Sequence, residues 1–343
     1  MVLVGAAPAL ACGGLLGPNG GVSLVRTTTL AAYHGGVEHY VTAFTFTGGT
    51  GNFGSIVPLP GVPTSMERGG NWTLQRLVRE TQPVPLAADR FAAATAGGAP
   101  SAEVLQQARI DALDLTVVKG EGSSVGGWAR DNGFTLPPDA PALLDFYAKR
   151  SPIFLAAKFD AAAAVAQGRG TGGVTPIHLT IPTPNPWVPL AILTLGKQPA
   201  ETVQADVYLL TDRRPTMLPA PAPAGSLSPT GNGLTLARSE EASPGLVSDL
   251  RSDQGMAWMP DGGMWLSYLR LDTPAVNLRY DLAVDASGRA APSPVAAGLP
   301  AGSPAGVLRP GSRGLWLWSA TALGILLLAG SWVLTHRRTG LQA

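Results

Sequence analysis

Apolar and polar side chains alternate along much of this chain. The pattern is cleanest over residues 38–47, where Tyr40, Phe44 and Phe46 fall on one face and His39, Thr45 and Thr47 on the other. With the β-branched-rich run 22–32 on the far side of "YHGGV", it predicts a β-hairpin. Further strands are predicted at 110–118, in "IFLAAKF", "PIHLTI", "VPLAILTL" and "TVQADVYLL", and at 264–271 and 277–284. Val203, Ala205, Val207 and Leu209 share one face of their strand, and Leu278, Tyr280, Leu282 and Val284 point inward from theirs. Period two dominates, which argues for antiparallel sheet with one face wet.

Between the strands lies a helical interlude. Residues 73–80 predict a short helix, and "SSVGGWARDNG" and "DAPALLDFYAKR" predict two more, the first stopped by Gly133 and the second capped near Asp139. Residues 102–109 fit helix or strand equally. The expected fold class is α+β: a mainly antiparallel β-sheet ectodomain with a short helical interlude, followed by one C-terminal transmembrane helix.

That last helix is predicted at residues 315–334, twenty positions without a charge, or about 30 Å of helix, the thickness of a bilayer core. Trp316 and Trp318 at one end and Trp332 at the other are the expected interfacial anchors, and Arg337 and Arg338 complete a stop-transfer cluster. Residues 1–11 read as the apolar part of a secretory signal closed by Ala9-Leu10-Ala11. No Lys or Arg precedes that part, so the signal is read as truncated. Cys12, the one cysteine of the chain, would then begin the mature protein. It is a candidate for lipidation, although Ala9 stands where a lipoprotein signal wants a branched apolar residue; an uncleaved N-terminal segment is the third alternative. A body at 12–285 would face outward and a tail at 335–343 would stay in the cytoplasm. Two Pro- and Gly-rich stretches divide the map. Residues 217–233 are a surface loop or a joint between two lobes, and 286–314 a semi-flexible stalk.

Charge narrows the partners. Lys and Arg number 24 against 23 Asp and Glu, and the C-terminal tail holds two of the arginines and no acid, so the body is near neutral and carries no footprint for nucleic acid. The expected partner is the lipid bilayer, through the C-terminal helix; the sequence names no envelope ligand or protein partner.

The candidate chemistry is sparse. "GTGNFG" spells the dinucleotide fingerprint, but Pro58, Pro60 and Pro63 forbid the helix that must follow, and no cofactor is implied. "GSSVG" spells the nucleophile elbow around Ser124, with His178 as the available base, yet too few residues separate the two for the usual strand-helix units. Ser123 or Ser124 as a helix N-cap is the simpler expectation. His34, Glu38 and His39 cannot converge on a metal, because Glu38 and His39 point to opposite faces of one strand. Trp187, Trp258 and Trp265 sit in loop-like contexts and are candidates for a binding groove, with core packing as the alternative.

The blocks "HGGVEHYVTAF", "FGSIVPLPGVP", "FTLPPDAPALLDFYAKRSPIFLAAKFD", "TPIHLTIPTPNPWVPLAILTLG" and "DVYLLTDRRP" together resemble a bacterial family known as domain of unknown function twenty-three thirty, over about residues 12–285. The resemblance implies an exported protein that begins with Ala-Cys-Gly-Gly and ends in a membrane helix. It implies no catalytic residues, and the second cysteine common in the family is Gly17 here. The expected function is a cell-envelope binding or scaffolding module, and the alternative is an envelope hydrolase using Ser124.

Overall fold

The computed structural model of the protein describes residues 14–16, 27–44, 53–81, 102–160, 163, 175–224, 232–287 and 292–300. Numbering strands along the chain, an eight-stranded sheet runs in the order β13 (Ala222–Pro223), β14 (Leu234–Glu241), β15 (Trp265–Pro274), β11 (Thr202–Thr211), β2 (Thr27–His34), β3 (Val37–Phe44), β9 (Thr175–Pro182) and β5 (Ser65–Arg68). Its neighbours are antiparallel except β2 with β11 and β13 with β14. A wholly antiparallel five-stranded sheet runs β1 (Gly14–Leu16), β4 (Phe53–Pro58), β8 (Ile153–Phe159), β7 (Leu113–Lys119), β6 (Glu103–Ile110). A small third sheet joins β10 (Trp187–Val188), β16 (Leu282–Asp285) and β12 (Thr216–Leu218). Among the helices that accompany them are α1 (Thr73–Thr81), α2 (Gly122–Asp131), α3 (Ala140–Ala148) and α4 (Pro244–Arg251). The α+β class and the dominance of antiparallel pairing agree with the sequence reading.

The hairpin forms between β2 and β3, turning at Gly35 and Gly36, both at positive φ. The wet face does not. Leu30, Ala32, Val41, Ala43, Tyr208 and Leu210 are buried on one face of the large sheet, under Leu74 and Leu77 of α1 and Leu246, Val247 and Leu250 of α4. On the other face, Ala31, Tyr40, Ile177 and Leu179 share a core with Val203, Ala205, Val207 and Leu209 of β11 and with the five-stranded sheet. A sheet covered on both faces keeps its period-two geometry while losing the polarity contrast that period two leads one to expect.

Other local readings are corrected. The 102–109 segment is a strand, and the strand expected over 110–118 breaks at Asp111, whose φ of 56° makes the β6–β7 turn. Of "VPLAILTL" only Val188 lies in a strand, the short β10, and a 3-10 turn, Ala191–Thr194, follows. Of the expected final strand only the end pairs, in Leu282–Asp285, although Leu278, Tyr280, Leu282 and Val284 are all buried as expected. Strands on both sides of the 217–233 stretch share the eight-stranded sheet, and Met217, Leu218 and Ala222 within it are buried.

The segment expected to be a stalk starts as part of the body. Ala297 is fully buried, its carbonyl accepts from the Asp281 backbone N–H at 2.9 Å, and the Ala296 carbonyl accepts from Arg150 Nη1 at 2.9 Å. Small apolar side chains that loosen a linker in water pack closely once a surface is offered, so the body extends to Pro300. Among the described residues, no helix is long and apolar enough to cross a membrane. The predicted signal, Cys12, the predicted span with Trp316, Trp318 and Trp332, and Arg337 and Arg338 all lie outside the described residues.

Candidate functional site

Ser124 lies in the first turn of α2, whose N-cap is Glu121, with no side-chain cap bond. The N-cap expectation for Ser123 or Ser124 is therefore corrected: the helix starts at Gly122, before either serine. The motif's glycines have a packing cause. A Cβ on Gly122 would lie 2.2 Å from Asp145 Oδ1 and 2.5 Å from the Asp145 backbone nitrogen, so α2 meets α3 only because residue 122 has no side chain. Gly122→Ala is expected to cost about 1–3 kcal/mol in chemical denaturation, the scale of overpacking; an unchanged midpoint would refute that account. Gly54, the last glycine of "GTGNFG", is similar: its Cβ would stand 2.6 Å from the Ala157 carbonyl oxygen and from Phe134 Cζ. Gly54 lies in β4, where the fingerprint needs a helix.

Ser124 and His178 are not brought together. α2 packs its Val125, Trp128 and Ala129 into the core between the sheets, whereas His178 projects from the opposite face of β9, beside His39. In the β3–β9 register His178 faces Val41 and His39 faces Thr180, so the two histidines are diagonal neighbours. His39 Nδ1 and His178 Nε2 are 2.9 Å apart, and one ring donates its N–H to the lone pair of the other. Trp258 stacks on His39 with centroids 3.7 Å apart and planes 4° from parallel. Burial lowers His39 to about 3, helped by the neighbouring His178 and His34. Burial lowers His178 too, against the pull of Glu67. Both rings are thus neutral at pH 7. His34 turns away to Asp212, 2.6 Å, and among the described residues no three His, Cys, Asp or Glu side chains are placed to hold a metal ion.

Glu38 points the other way, as the strand alternation predicts. Its side chain is buried, neither oxygen has a hydrogen-bond partner of normal geometry among the described residues, and burial pushes its pKa up to about 8 against a smaller opposing pull from the Trp187 backbone N–H.

The three candidate tryptophans do not form one groove. Trp187 is 4% exposed in the core between the sheets, its ring 5.9 Å from that of Tyr147. Trp258 packs with the core on the opposite face of the large sheet. Trp265, at the start of β15, is half-buried and donates from Nε1 to Ser239 Oγ at 2.9 Å.

A hub that the sequence reading missed surrounds Asp281. Its Oδ1 accepts from Tyr147 Oη at 2.8 Å and from the backbone N–H groups of Leu190 and Ala191 at 2.6 and 2.9 Å, and its Oδ2 accepts from Arg150. Tyr147 Oη in turn accepts from the Ile192 N–H at 2.8 Å. Arg150 is sandwiched over Phe146, Tyr147 and Trp187, with its guanidinium carbon 4.5 to 4.9 Å from the three ring centroids. One carboxylate therefore ties α3 to the start of the 191–194 turn, satisfying donors that a short 3-10 turn leaves unpaired.

These two elements wall a cavity. α3 buries Leu144 and Tyr147 and turns Ala142, Leu143 and Phe146 toward an open space of about 570 Å³, closed on the far side by Ala191, Pro199, Ala275, Val276 and Leu278. Its polar rim is Asp139, Thr194, Lys197 and Arg279. The walls are apolar, and Val276 remains 45% exposed. This combination of apolar walls with a few polar groups at the mouth suits an apolar or amphipathic ligand.

The family model for an uncharacterized protein conserved in bacteria (DUF2330) matches residues 6–224, well over half of the sequence. The chain belongs to that family. The match ends before β14, so the DUF2330 portion holds α3 and the 191–194 wall of the cavity, while the 275–279 wall and Asp281 lie beyond it. No curated protein matches the sequence. Solved structures similar to this DUF2330 chain include the caspase-8/P35 complex, at 9% identity and a TM-score of 0.38, covering 76% of this chain and 95% of that one. They also include a mutated baculovirus P35 after caspase cleavage, at 9% identity and a TM-score of 0.38, covering 76% and 98%, and baculovirus P35 itself, at 8% and 0.36, covering 77% and 97%.

Proposed function

We propose that this DUF2330 protein is an exported, membrane-anchored binding module of the bacterial cell envelope, with the cavity between α3 and the 275–279 segment as its ligand seat. The observation that carries the reading is the cavity itself: about 570 Å³, apolar walls, a polar mouth, and one wall fixed by the Asp281 hub. The uncharged run at 315–334 and the apolar run before Cys12 support the anchored and exported parts. The hydrolase alternative loses its support with Ser124 and His178 on different layers of the fold.

The test of the seat is photolabelling of the full chain, in nanodiscs, with a small uncharged aromatic diazirine, followed by mass-spectrometric mapping. Saturable adducts at Leu143, Phe146 and Val276 are expected, with labelling reduced at least tenfold in Val276→Trp, which fills the space from an exposed position. Labelling that rises linearly with probe and ignores Val276→Trp would remove the seat. Orientation is tested separately: trypsin added to intact cells should cut after Arg313 and spare Arg337.

A further inference from the structure

We infer that the cavity receives the hydrocarbon chain of a fatty acid drawn from the bilayer, with its carboxylate held by Arg279. The inference rests on the reading of the cavity as a ligand seat and assigns the class of ligand.

Charge at the mouth selects the head group. Asp139 is occupied, both of its oxygens accepting from the Gly196 N–H at 3.0 and 3.2 Å. Lys197 is also occupied, its Nζ on Glu201 Oε1 in an i,i+4 pair. Arg279 differs. Its Nε donates to the Val276 carbonyl at 3.2 Å, which fixes the start of the guanidinium plane at the cavity edge, and among the described residues its terminal nitrogens carry no bond or ion pair. Asp139 keeps its negative charge, since a backbone amide does not neutralise it, but its oxygens are engaged; Arg279 is the rim cation whose terminal donors are left, and a guanidinium offers a carboxylate two parallel N–H donors. Apolar walls with one available arginine at the mouth complement an apolar chain that ends in an anion.

The path of the chain favours the bilayer as the source. The segment leaving the body crosses Phe146, which lines the cavity: a Cβ on Gly298 would lie 2.4 Å from Phe146 Cζ. The described chain ends two residues later, at Pro300, and fourteen residues separate it from Leu315, where the anchor is read to begin. Such a tether reaches at most ~50 Å when fully extended. With the 315–334 run read as the anchor, such a tether would hold the body near the bilayer, which favours a ligand supplied by the membrane.

The experiment uses the full chain in phosphatidylcholine nanodiscs containing a diazirine-bearing palmitic acid or, in parallel, its uncharged methyl ester. The acid is expected to label Leu143, Phe146 or Val276 at least tenfold more than the ester. Arg279→Glu should reduce labelling by the acid at least tenfold, and Arg279→Lys should recover most of it. Arg279 is exposed, so neither change threatens the fold. Equal labelling by acid and ester, both lost in Val276→Trp, would overturn the fatty-acid assignment and leave the ligand seat standing. Labelling of the cavity by neither lipid, while the small aromatic diazirine still labels it, would overturn the assignment in the same way. Failure of all three probes would overturn both.

Discussion

Replacing Asp281 by alanine is expected to lower the stability of the protein by about 3–5 kcal/mol, the scale for removing one partner of a buried ion pair. Asp281 is wholly buried and accepts from Tyr147, Arg150 and two backbone amides, so the variant strands a guanidinium and several donors in the core at once. Among the described residues Arg150 Nε has no partner, which leaves little slack for the guanidinium to recover. The same change frees the 191–194 turn from α3, so photolabelling of the cavity should fall along with the denaturation midpoint. Urea unfolding followed by tryptophan fluorescence reads the first effect. A loss below about 1 kcal/mol would show that the hub is dispensable, and a large loss of stability with undiminished labelling would show that it does not shape the cavity.

The second large effect is a pair of opposed pH dependences at adjacent residues. His39 falls from 6.5 to about 3 on folding, so between those values the unfolded chain holds the extra proton and stability is lost as the pH falls. Glu38 rises from 4.5 to about 8, so between those values the folded chain holds the extra proton and stability is lost as the pH rises. Each slope approaches about 1.4 kcal/mol per pH unit where it acts alone, and between pH 4.5 and 6.5 the two oppose each other. The substitutions separate them. Glu38→Gln should gain on the wild type by about 2–3 kcal/mol as the pH is raised from about 5 to about 7.5, and His39→Gln should gain by a similar amount as it is lowered from about 6.5 to about 4.5. Stability differences between each variant and the wild type that stay constant with pH would refute the assigned protonation states.

The strands were legible wherever alternation coincided with burial. "TVQADVYLL" falls where β11 lies, Glu38 and His39 do take opposite faces of β3, and the nearly continuous apolar run "IFLAAKF" falls where β8 lies. What escaped the sequence depended on partners far along the chain. α4 is too short for its apolar spacing to stand out, and it forms with Ser243 as a true N-cap, accepting from the Leu246 N–H at 3.2 Å. "VPLAILTL" has the composition of a strand, but its amides bond to Asp281 and Tyr147, so tertiary contacts outweigh propensity. Asp281 itself was hidden by the rule that found its neighbours: with Tyr280 and Leu282 assigned inward, alternation sent the carboxylate to solvent, whereas irregular backbone buries all three. The cavity combines a helix, a 3-10 turn and the 275–279 segment, and their meeting is not encoded in any one local pattern.

The parallel pairing of β2 with β11 sets the order in which this molecule can be completed. Thr29 must align with Val207, roughly 180 positions later, a separation that makes such a contact slow to find. At ribosomal rates the second strand follows the first by on the order of 10–40 s. β2 can join β3, β9 and β5 during that wait, but the side of it that β11 will occupy stays open, offering unpaired amides to any passing strand. A chain delivered from its N-terminus is therefore most vulnerable when it is about two-thirds made, and a holding factor that shields a bare strand edge would act in that interval.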